Sequence, residues 1–147
     1  MKIRFAQQND AHVIATQNMA LAKESENIIL DPDIVLAGVH SVLADINKGF
    51  YLVVENNNKI IGQLMITTEW SDWRNKPIWW VQSVYVQKNW RKKGVFTKML
   101  MKLRQYAKNQ NVAFLRLYVC QSNHSALQVY KKVGWNQEPY EMYQITV

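Results

Sequence analysis

Apolar residues recur along this chain with two spacings, one typical of helices and one typical of strands. The clearest helical spacing follows Gly94, and its apolar positions are Val95, Phe96, Met99, Leu100, Leu103, Tyr106 and Ala107. The run directly before it, Trp79 to Val86, is almost wholly apolar and predicts a buried strand. The sequence therefore predicts a strand, a short turn and an amphipathic helix in direct succession.

The same two spacings divide the rest of the chain into further elements. Strands are predicted at Ile3 to Phe5, Phe50 to Glu55, Lys59 to Thr68, Phe114 to Val119 and Tyr140 to Val147. Helices are predicted from Asn9 or Asp10 to about Lys23, from Asp31-Pro32 to Gly49, and around Tyr130. No linker or repeat interrupts them, so residues 1–147 are expected to form one α/β domain with the order β-α-α-β-β-β-α-β-α-β.

The turn after Val86 is basic and contains one glycine. It includes Arg91, Lys92, Lys93 and Gly94, and it leads directly into the amphipathic helix. Backbone N–H groups at the start of a helix have no intrahelical partner and carry positive partial charge. With basic side chains beside them, these groups are expected to bind a phosphate-bearing ligand.

Composition narrows the class of protein. Apolar residues make up 48% of the chain and charged residues 20%, which is typical of a globular protein. No apolar run approaches the roughly 20 residues that cross a bilayer, and the N-terminus lacks the apolar core of a signal peptide. We therefore expect a cytoplasmic protein without a membrane partner. The single cysteine, Cys120, excludes an internal disulfide, and a structural role is favoured for it over a nucleophilic one.

A net charge of +7 would also suit a nucleic-acid-binding protein. However, the basic residues concentrate at positions 88 to 108 and 131 to 132, and no recognition motif for nucleic acid accompanies them. Nucleic acid is therefore not expected as a partner. No metal site is expected either, because His12, His40 and His124 show no metal-ligand spacing.

The basic turn resembles the acyl-CoA pyrophosphate loop of the GCN5-related N-acetyltransferase (GNAT) family, whose usual form is Q/R-x-x-G-x-G/A. Arg91, Gly94 and Phe96 occupy the three defining positions. Phe96 departs from the small residue usually found last, which lets the backbone approach the pyrophosphate closely. Its side chain is therefore expected to point into the core. For the turn alone, an ordinary strand-to-helix loop is the alternative.

A second motif resembles the closing unit of the same family. Asn123 begins a helix, Tyr130 follows seven residues later, and Gly134-Trp135 ends it. Ser122 or Asn123 can cap this helix, and Gly134 suits the left-handed position past its end. Both motifs stand in the order of the family, and the resemblance covers essentially the whole chain.

The resemblance implies a mixed, twisted sheet with helices on both faces and two central strands that splay apart. Acetyl-CoA is implied as a cosubstrate in the gap, with its pantetheine arm against the backbone of the first splayed strand and its pyrophosphate on the N–H groups of the basic turn. The implied cofactor-binding residues are Val84, Tyr85, Val86, Arg91, Lys92, Lys93, Gly94, Val95, Phe96, Thr97 and Asn123.

The implied reaction moves an acetyl group from acetyl-CoA to a primary amine of a small molecule, amino-acid-like or polyamine-like, by direct attack in a ternary complex. Tyr130 matches the acid position of the family. A phenol with an ordinary pKa of about 10 is protonated at neutral pH and can donate to the leaving thiolate. The alternative for Tyr130 is a packed aromatic residue without a chemical role.

The general base is harder to assign. Many relatives carry a glutamate in one of the splayed strands, whereas these strands here offer Gln82, Ser83, Arg116 and Tyr118. Glu69, in the predicted loop Thr67 to Lys76, is the candidate base, and Glu26 or an ordered water is the alternative.

The same loop carries the candidate acceptor-binding residues. Trp70 and Trp73 could stack on an ammonium group, and Glu69 and Asp72 could bind a cation. Glu26 is predicted to contribute a further carboxylate to substrate binding. The alternative is a turn held by its own salt bridge from Asp72 to Arg74, with the tryptophans as a hydrophobic cap.

The sequence thus favours an acetyl-CoA-dependent N-acetyltransferase acting on a small-molecule amine. A protein N-terminal or lysine acetyltransferase is the nearest alternative. A non-catalytic CoA-binding sensor is a second alternative, supported by the missing strand carboxylate. The exposed tryptophans and C-terminal strand residues make a homodimer a reasonable expectation.

Overall fold

Polar and glycine-containing turns divide the chain into five strands and four α-helices, and a computed structural model describes all 147 residues. The strands are β1 (Lys2–Phe5), β2 (Phe50–Asn56), β3 (Lys59–Ser71), β4 (Lys76–Val86) and β5 (Leu115–Arg116). The helices are α1 (Ala11–Glu26), α2 (Pro32–Ala44), α3 (Val95–Asn109) and α4 (His124–Lys132). None of these helices is long and apolar enough to cross a membrane.

Local sequence signals account for most helix boundaries. The Asp31 carboxylate accepts hydrogen bonds from the N–H groups of Asp33 and Ile34 at 2.9 and 3.1 Å, so it caps α2 as the Asp-Pro pair predicts. The helix ends at Ala44 rather than at Gly49, because a 3-10 turn follows it.

Of the two residues predicted to begin α1, Asn9 and Asp10, Asp10 is at the N-cap, but its side chain makes no capping bond to the helix. The Asp10 carboxylate instead accepts from the Arg4 guanidinium at 2.7 Å and from the backbone N–H of Gln7 at 2.7 Å. Arg4 also bonds Glu55 of β2. Asp10 thus belongs to a part-buried cluster of three charged side chains that connects the start of the first helix to the sheet.

The sheet is mixed, with the strand order β1-β2-β3-β4-β5. The first four strands pair antiparallel, and β5 pairs parallel to β4. The β2–β3 turn has φ values of 49° at Asn57 and 59° at Asn58, which is the left-handed geometry that tight hairpins require and asparagine tolerates. The mixed α/β architecture predicted from the sequence is confirmed.

Helices cover both faces of the sheet, and each face has its own core. On one face α3 packs Met99 and Leu103 against Leu64 and Trp79, all of them buried. On the other face α1 and α2 pack Ile14 and Val39 against the buried inward positions of β2. The core under α3 includes Trp79 and Val81 of β4 and extends to Val84 and Val86, so one side of this strand is packed along most of its length.

Four predicted strands differ in the structure, and one of them, predicted at Phe114 to Val119, is limited to the two residues of β5. The hairpin of β3 and β4 continues through the predicted loop, so Glu69, Trp70 and Ser71 are strand residues. The strand predicted at Tyr140 to Val147 does not form. A strand needs the unpaired N–H and C=O groups of a neighbouring edge, and β5, with only two residues, presents almost none.

Candidate functional site

A β-bulge interrupts strand β4 at the centre of the sheet. Gln63 pairs with Tyr85 and Met65 pairs with Gln82, so Ser83 and Val84 lie opposite a single residue of β3. Ser83 has a φ of 48°, a left-handed conformation that is uncommon for a residue with a side chain. The bulge takes these two residues out of the regular pairing between β3 and β4.

Polar side chains under the bulge hold it in place. The Tyr51 hydroxyl bonds Asn18 of α1 at 3.2 Å, and Asn18 in turn accepts from Gln63 at 2.7 Å. Burial raises the pKa of Tyr51, while hydrogen bonds from Asn18 and Ser83 act in the opposite direction. The phenol therefore stays protonated and links the bulge to α1.

The gap that the resemblance implies opens next to the bulge. β4 pairs with β5 only through Trp79 with Leu115 and Trp80 with Arg116. Beyond this point the two chain segments separate, and the far end of β4 leads into the basic turn and α3. The structure thus places Val84, Tyr85 and Val86 along one side of the gap.

The basic turn offers a row of backbone donors. None of the N–H groups from Lys92 to Thr97 donates to a backbone carbonyl, and Gly94 at the N-cap contributes no side chain. Lys92 and Gly94 have φ values of 60° and 75°, so the turn curls around its own N–H groups. Such a concave row of donors at a helix start binds anions.

The departure of Phe96 from the family pattern leaves this turn open. Its side chain is half-buried against the α3 core and meets the Tyr130 ring edge-on, with 5.7 Å between the ring centroids. Because the ring points inward as expected, its bulk does not cover the donors of the turn.

Arg91 is bound to the protein itself. Its Nε atom donates to the Val86 carbonyl at 2.9 Å, and its Nη2 atom donates to Glu24 of α1 at 2.6 Å. Its guanidinium also lies 5.4 Å from the centroid of the Tyr85 ring. Glu24 additionally bonds the Tyr85 hydroxyl at 3.2 Å. Arg91 therefore connects α1, β4 and the turn, and the unpaired donors beside it are backbone N–H groups.

Tyr130 lies on α4, between Phe96 and Trp135, and it is largely buried. Burial raises the pKa of its hydroxyl above the ordinary value of 10.0. The phenol is therefore a proton donor over the whole neutral range. The structure brings this donor to the same end of the gap as the basic turn.

The segment between β5 and α4 contains the cap of α4 and the single cysteine. Asn123 caps α4 by accepting from the Ala126 N–H at 3.2 Å, which leaves its amide N–H₂ free of that bond. Hydrogen bonds from Ser122 lower the pKa of the exposed Cys120 thiol, and the Glu26 carboxylate acts against them. Glu26 itself is the last residue of α1, two positions after Glu24, whose carboxylate bonds Tyr85 and Arg91.

Glu69 lies at the opposite end of β4. It pairs with Ile78, five residues before Ser83, which corresponds to about 16 Å along an extended strand. Its carboxylate accepts from the Trp80 indole at 2.8 Å and is 3.5 Å from Arg116. The predicted loop position of Glu69 is wrong, and its distance from the bulge does not favour the base role predicted for it.

The β3–β4 hairpin forms one wall of a cleft of about 260 Å³. Trp70 and Trp73 are 61% and 87% exposed, so they do not form a hydrophobic cap. The alternative salt bridge from Asp72 to Arg74 is also absent: Asp72 accepts from the Trp73 N–H at 2.9 Å, and Arg74 stacks on Phe114 at 4.9 Å. No group of three or more His, Cys, Asp or Glu side chains in the chain could hold a metal ion.

The comparisons with known proteins agree with this geometry. The family model described as the acetyltransferase (GNAT) family matches residues 19–135. The chain belongs to this family. A possible acetyltransferase from Clostridium difficile 630 is 39% identical, with a TM-score of 0.93 over 99% of this chain and 97% of that one.

More distant GNAT relatives extend the likeness. An uncharacterised N-acetyltransferase of Methanocaldococcus jannaschii is 26% identical over 91 residues, which is 61% of this chain and 40% of the length of that relative. A predicted acetyltransferase from Clostridium acetobutylicum, solved with acetyl-CoA, is 21% identical and shares the fold, with a TM-score of 0.81 over 98% of this chain and 95% of that one. Family and neighbours together support an acyl-CoA-dependent acetyltransferase.

Sequence reasoning missed four residues that shape this GNAT site. Ser83 was missed because a bulge depends on strand register, which the sequence alone does not show. Glu24 was missed because it lies 67 positions from Arg91, its partner. Arg116 and Tyr140 were missed as cleft residues because they enter it from β5 and from the C-terminal segment. Only Arg116 carried a signal, since a charged side chain in a predicted central strand needs a reason to be there.

Proposed function

We propose that this protein transfers an acetyl group from acetyl-CoA to a primary amine of a small molecule. The observation that carries this proposal is the open basic turn, with unpaired N–H groups from Lys92 to Thr97, next to a bulged and splayed β4. A sheet that only needed to be stable would have a capped helix and a continuous ladder here. Both departures suit one extended, phosphate-bearing ligand.

The residues present fit acetyl-CoA. The N–H groups of the turn would hold the pyrophosphate, with Lys92 and Lys93 supplying positive charge. The bulged backbone at Val84 would pair with the pantetheine arm, whereas the Val86 carbonyl already accepts a hydrogen bond from Arg91. The amide group of Asn123 would bond the same arm from the opposite side of the gap. The thioester supplies the acetyl group, which the acceptor amine attacks directly in a ternary complex.

Tyr130 is proposed as the general acid that protonates the leaving thiolate. Burial raises its pKa above the ordinary value, so it is protonated at neutral pH, and it lies against Phe96 at the start of α3. A neutral phenol also avoids placing a second negative charge beside a developing thiolate. Without this donor the thiolate would leave as an unprotonated anion.

Glu26 is proposed as the carboxylate that receives the proton of the amine, directly or through water. It is the last residue of α1, whose end meets β4 and the basic turn through the contacts of Glu24 with Tyr85 and Arg91, while Glu69 is about 16 Å along the strand from the bulge. An amine must lose a proton before it can attack, and at neutral pH it arrives as an ammonium ion. A carboxylate near the gap would attract this cation and then accept its proton.

The experiment is a thermal-shift titration with acetyl-CoA, followed by measurement of CoA release with a panel of amines. A ligand that binds only the native state increases the free energy of unfolding, by about 2.7 kcal/mol at a hundredfold excess over its Kd. The melting temperature rises as a result. We expect a rise with acetyl-CoA and CoA release with at least one small amine. No rise with any CoA ester would contradict the proposal, and a rise without turnover of any amine or peptide would identify a CoA-binding sensor instead.

A further inference from the structure

The cleft at the β3–β4 hairpin contains a guanidinium group whose hydrogen-bonding capacity is not used. The Arg116 side chain is only 22% exposed, and its one hydrogen bond within the protein is the 3.5 Å contact to Glu69. That oxygen of Glu69 already accepts a shorter bond, 2.8 Å, from the Trp80 indole. A guanidinium has several N–H donors, so most of those of Arg116 have no partner in the protein, and Arg116 lines the cleft.

Aromatic rings fix the position of this guanidinium. It lies 4.8 Å from the Phe114 centroid and 5.9 Å from the centroids of both Trp80 and Tyr140. Stacking on aromatic faces leaves the N–H edge of a guanidinium available for hydrogen bonds in its own plane. The arrangement therefore holds Arg116 ready for a planar anion.

A second cation lies on the same aromatic platform. Arg74 is 4.9 Å from the Phe114 centroid, and its one hydrogen bond is a long one, 3.4 Å to the Ser71 hydroxyl. Both arginines line the cleft, together with Glu69 and Asp72. The two carboxylates each accept a bond shorter than 3.0 Å from the protein, whereas the two arginines make none that short. The two arginines therefore keep N–H donors without a partner in the cleft, and such donors suit an anion.

The cleft and the bulge where acetyl transfer is proposed lie along the same strand, β4. Trp79 and Val81 face the α3 core, so the alternate residues Trp80 and Gln82 face the opposite side of the sheet. Arg116 pairs with Trp80 and shares that side. Ser83 follows three residues after Trp80, about 10 Å along the strand. A small molecule held in the cleft can therefore extend an amine to the bulge.

We infer that the acceptor is an amine that also carries a carboxylate group, and that Arg116, supported by Arg74, binds this carboxylate while the amine points to the bulge of β4. Arginine binds carboxylates through two parallel hydrogen bonds, which fixes orientation as well as position. A polyamine would bring only positive charge to the two arginines and gains nothing from them. This inference rests on the proposed acetyltransferase function.

The test compares matched amines with and without the carboxylate. The panel contains α-amino acids, ω-amino acids and dipeptides, each paired with its C-terminal amide, together with putrescine and spermidine as carboxylate-free amines. CoA release is measured for each. We expect the carboxylate-bearing member of a turned-over pair to have a kcat/KM at least tenfold above its amide.

Variants assign this preference to the cleft. Arg116→Met keeps an apolar side chain against the aromatic rings but removes the donors, and it should reduce the carboxylate-to-amide ratio to within about twofold. Arg116→Lys keeps the charge without the two-pronged geometry and should give an intermediate ratio. The control Arg104→Met changes an exposed arginine of α3 and should leave the ratio at its original value. The acetyl-CoA thermal shift of each variant shows that it is folded.

The outcomes separate this inference from the proposed function. Turnover of polyamines or amides as fast as of their carboxylate counterparts, with the acetyl-CoA shift intact, would overturn the inference and leave the acetyltransferase function standing. An unchanged ratio in Arg116→Met would do the same. If acetyl-CoA binds but nothing is turned over, quenching of tryptophan fluorescence by N-acetyl amino acids and not by their amides would support the inference, and equal or absent quenching would overturn it. Loss of the acetyl-CoA shift in the wild-type protein would contradict the function itself.

Discussion

Strand β4 has an arginine–carboxylate pair at each end, and the two pairs differ in how completely they are satisfied. At the carboxyl end, Arg91 and Glu24 meet at 2.6 Å, and Tyr85, Lys88 and the Val86 carbonyl complete the group. At the amino end, Arg116 and Glu69 are 3.5 Å apart, and the arginine has no other acceptor.

This difference shows where the molecule leaves room for ligands. The satisfied pair cannot bind an anion without losing its own bonds, so the unpaired N–H groups of the turn are the donors that remain at the carboxyl end. The unsatisfied pair keeps its donors available in a cleft. Charged residues that look equivalent in the sequence thus have different roles, because the number of partners decides whether a charge is structural or free to bind.

The largest effect is expected from removing the proposed acid at the carboxyl end. Tyr130→Phe should lower kcat by about a hundredfold, at the low end of the usual contribution of acid–base catalysis, with little change in acetyl-CoA affinity. Because burial raises the Tyr130 pKa above 10.0, its ionisation should not reduce the wild-type rate between pH 7 and 9. Steady-state kinetics of CoA release across this range measures both.

Tyr106→Phe is the matched control for that variant. Tyr106 lies on α3 among Phe5, Phe50 and Trp79, away from the gap, and its loss of a hydroxyl should leave kcat within twofold. Equal kcat values for Tyr130→Phe and the wild-type protein would show that Tyr130 only packs against Phe96.

A smaller but clear contrast is expected between two carboxylates. Glu26→Gln should lower kcat/KM by about tenfold or more, because it removes the proton acceptor at the gap. Glu69→Gln should change it by less than about threefold, since the amide still accepts the Trp80 bond at the distant end of β4. The opposite ranking of the two variants would restore Glu69 as the base and place the chemistry at the amino end.

Substitution of the glycine in the basic turn is expected to change acetyl-CoA affinity by a few-fold. An added Cβ at Gly94 meets no atom within 4 Å, so Gly94→Ala tests only the φ of 75°. A left-handed alanine costs about 1 kcal/mol, which should lower stability and, through a shifted turn, weaken acetyl-CoA binding several-fold. Denaturant unfolding and a thermal-shift titration measure the two effects.

Gly38→Ala provides the control, because its Cβ also meets nothing within 4 Å but its backbone is helical. This substitution should stabilise α2 by up to about 1 kcal/mol and leave acetyl-CoA binding unchanged. If both alanine variants bind acetyl-CoA normally, the left-handed turn is not needed for the cofactor.

The carboxyl end of β4 was far more predictable from the sequence than the amino end. The turn, the inward ring of Phe96 and the Asn123 cap follow from local spacing, because each depends on residues within a few positions. The amino end depends on pairing between β3, β4 and β5, which single-sequence spacing does not encode. Spacing alone therefore predicts a loop at Glu69, whereas cross-strand pairing extends both strands through this region.

The strand predicted in the C-terminal segment does not form, for a related reason. Its apolar residues suggest a strand, but a strand exists only beside a partner, and the partner edge here is two residues long. Sequence spacing reports which side chains could face a core. It does not report whether an edge with unpaired backbone groups lies beside them.

The smallest effect is expected from the satisfied pair itself. Burial raises the pKa of Glu24, but its contacts with Arg91, Lys88 and Tyr85 outweigh burial and lower it below the ordinary 4.5. A carboxylate with a lowered pKa in the folded state stabilises the protein above pH 4.5, and this contribution disappears as the pH falls through the folded pKa. Glu24→Gln should therefore cost less than about 1 kcal/mol at pH 7 and nothing in acid, as urea unfolding at several pH values can measure.

The same variant decides what Arg91 does. If Arg91 connects α1 to β4, then Glu24→Gln should weaken acetyl-CoA binding slightly, by less than about threefold, because the turn loses one support. Glu138→Gln, at an exposed carboxylate without a salt bridge, should have no effect on either quantity. Tighter acetyl-CoA binding in Glu24→Gln would mean that the released guanidinium reaches the phosphates. In that case the two ends of β4 would both use arginine to bind anions, with Glu24 restraining the one at the carboxyl end.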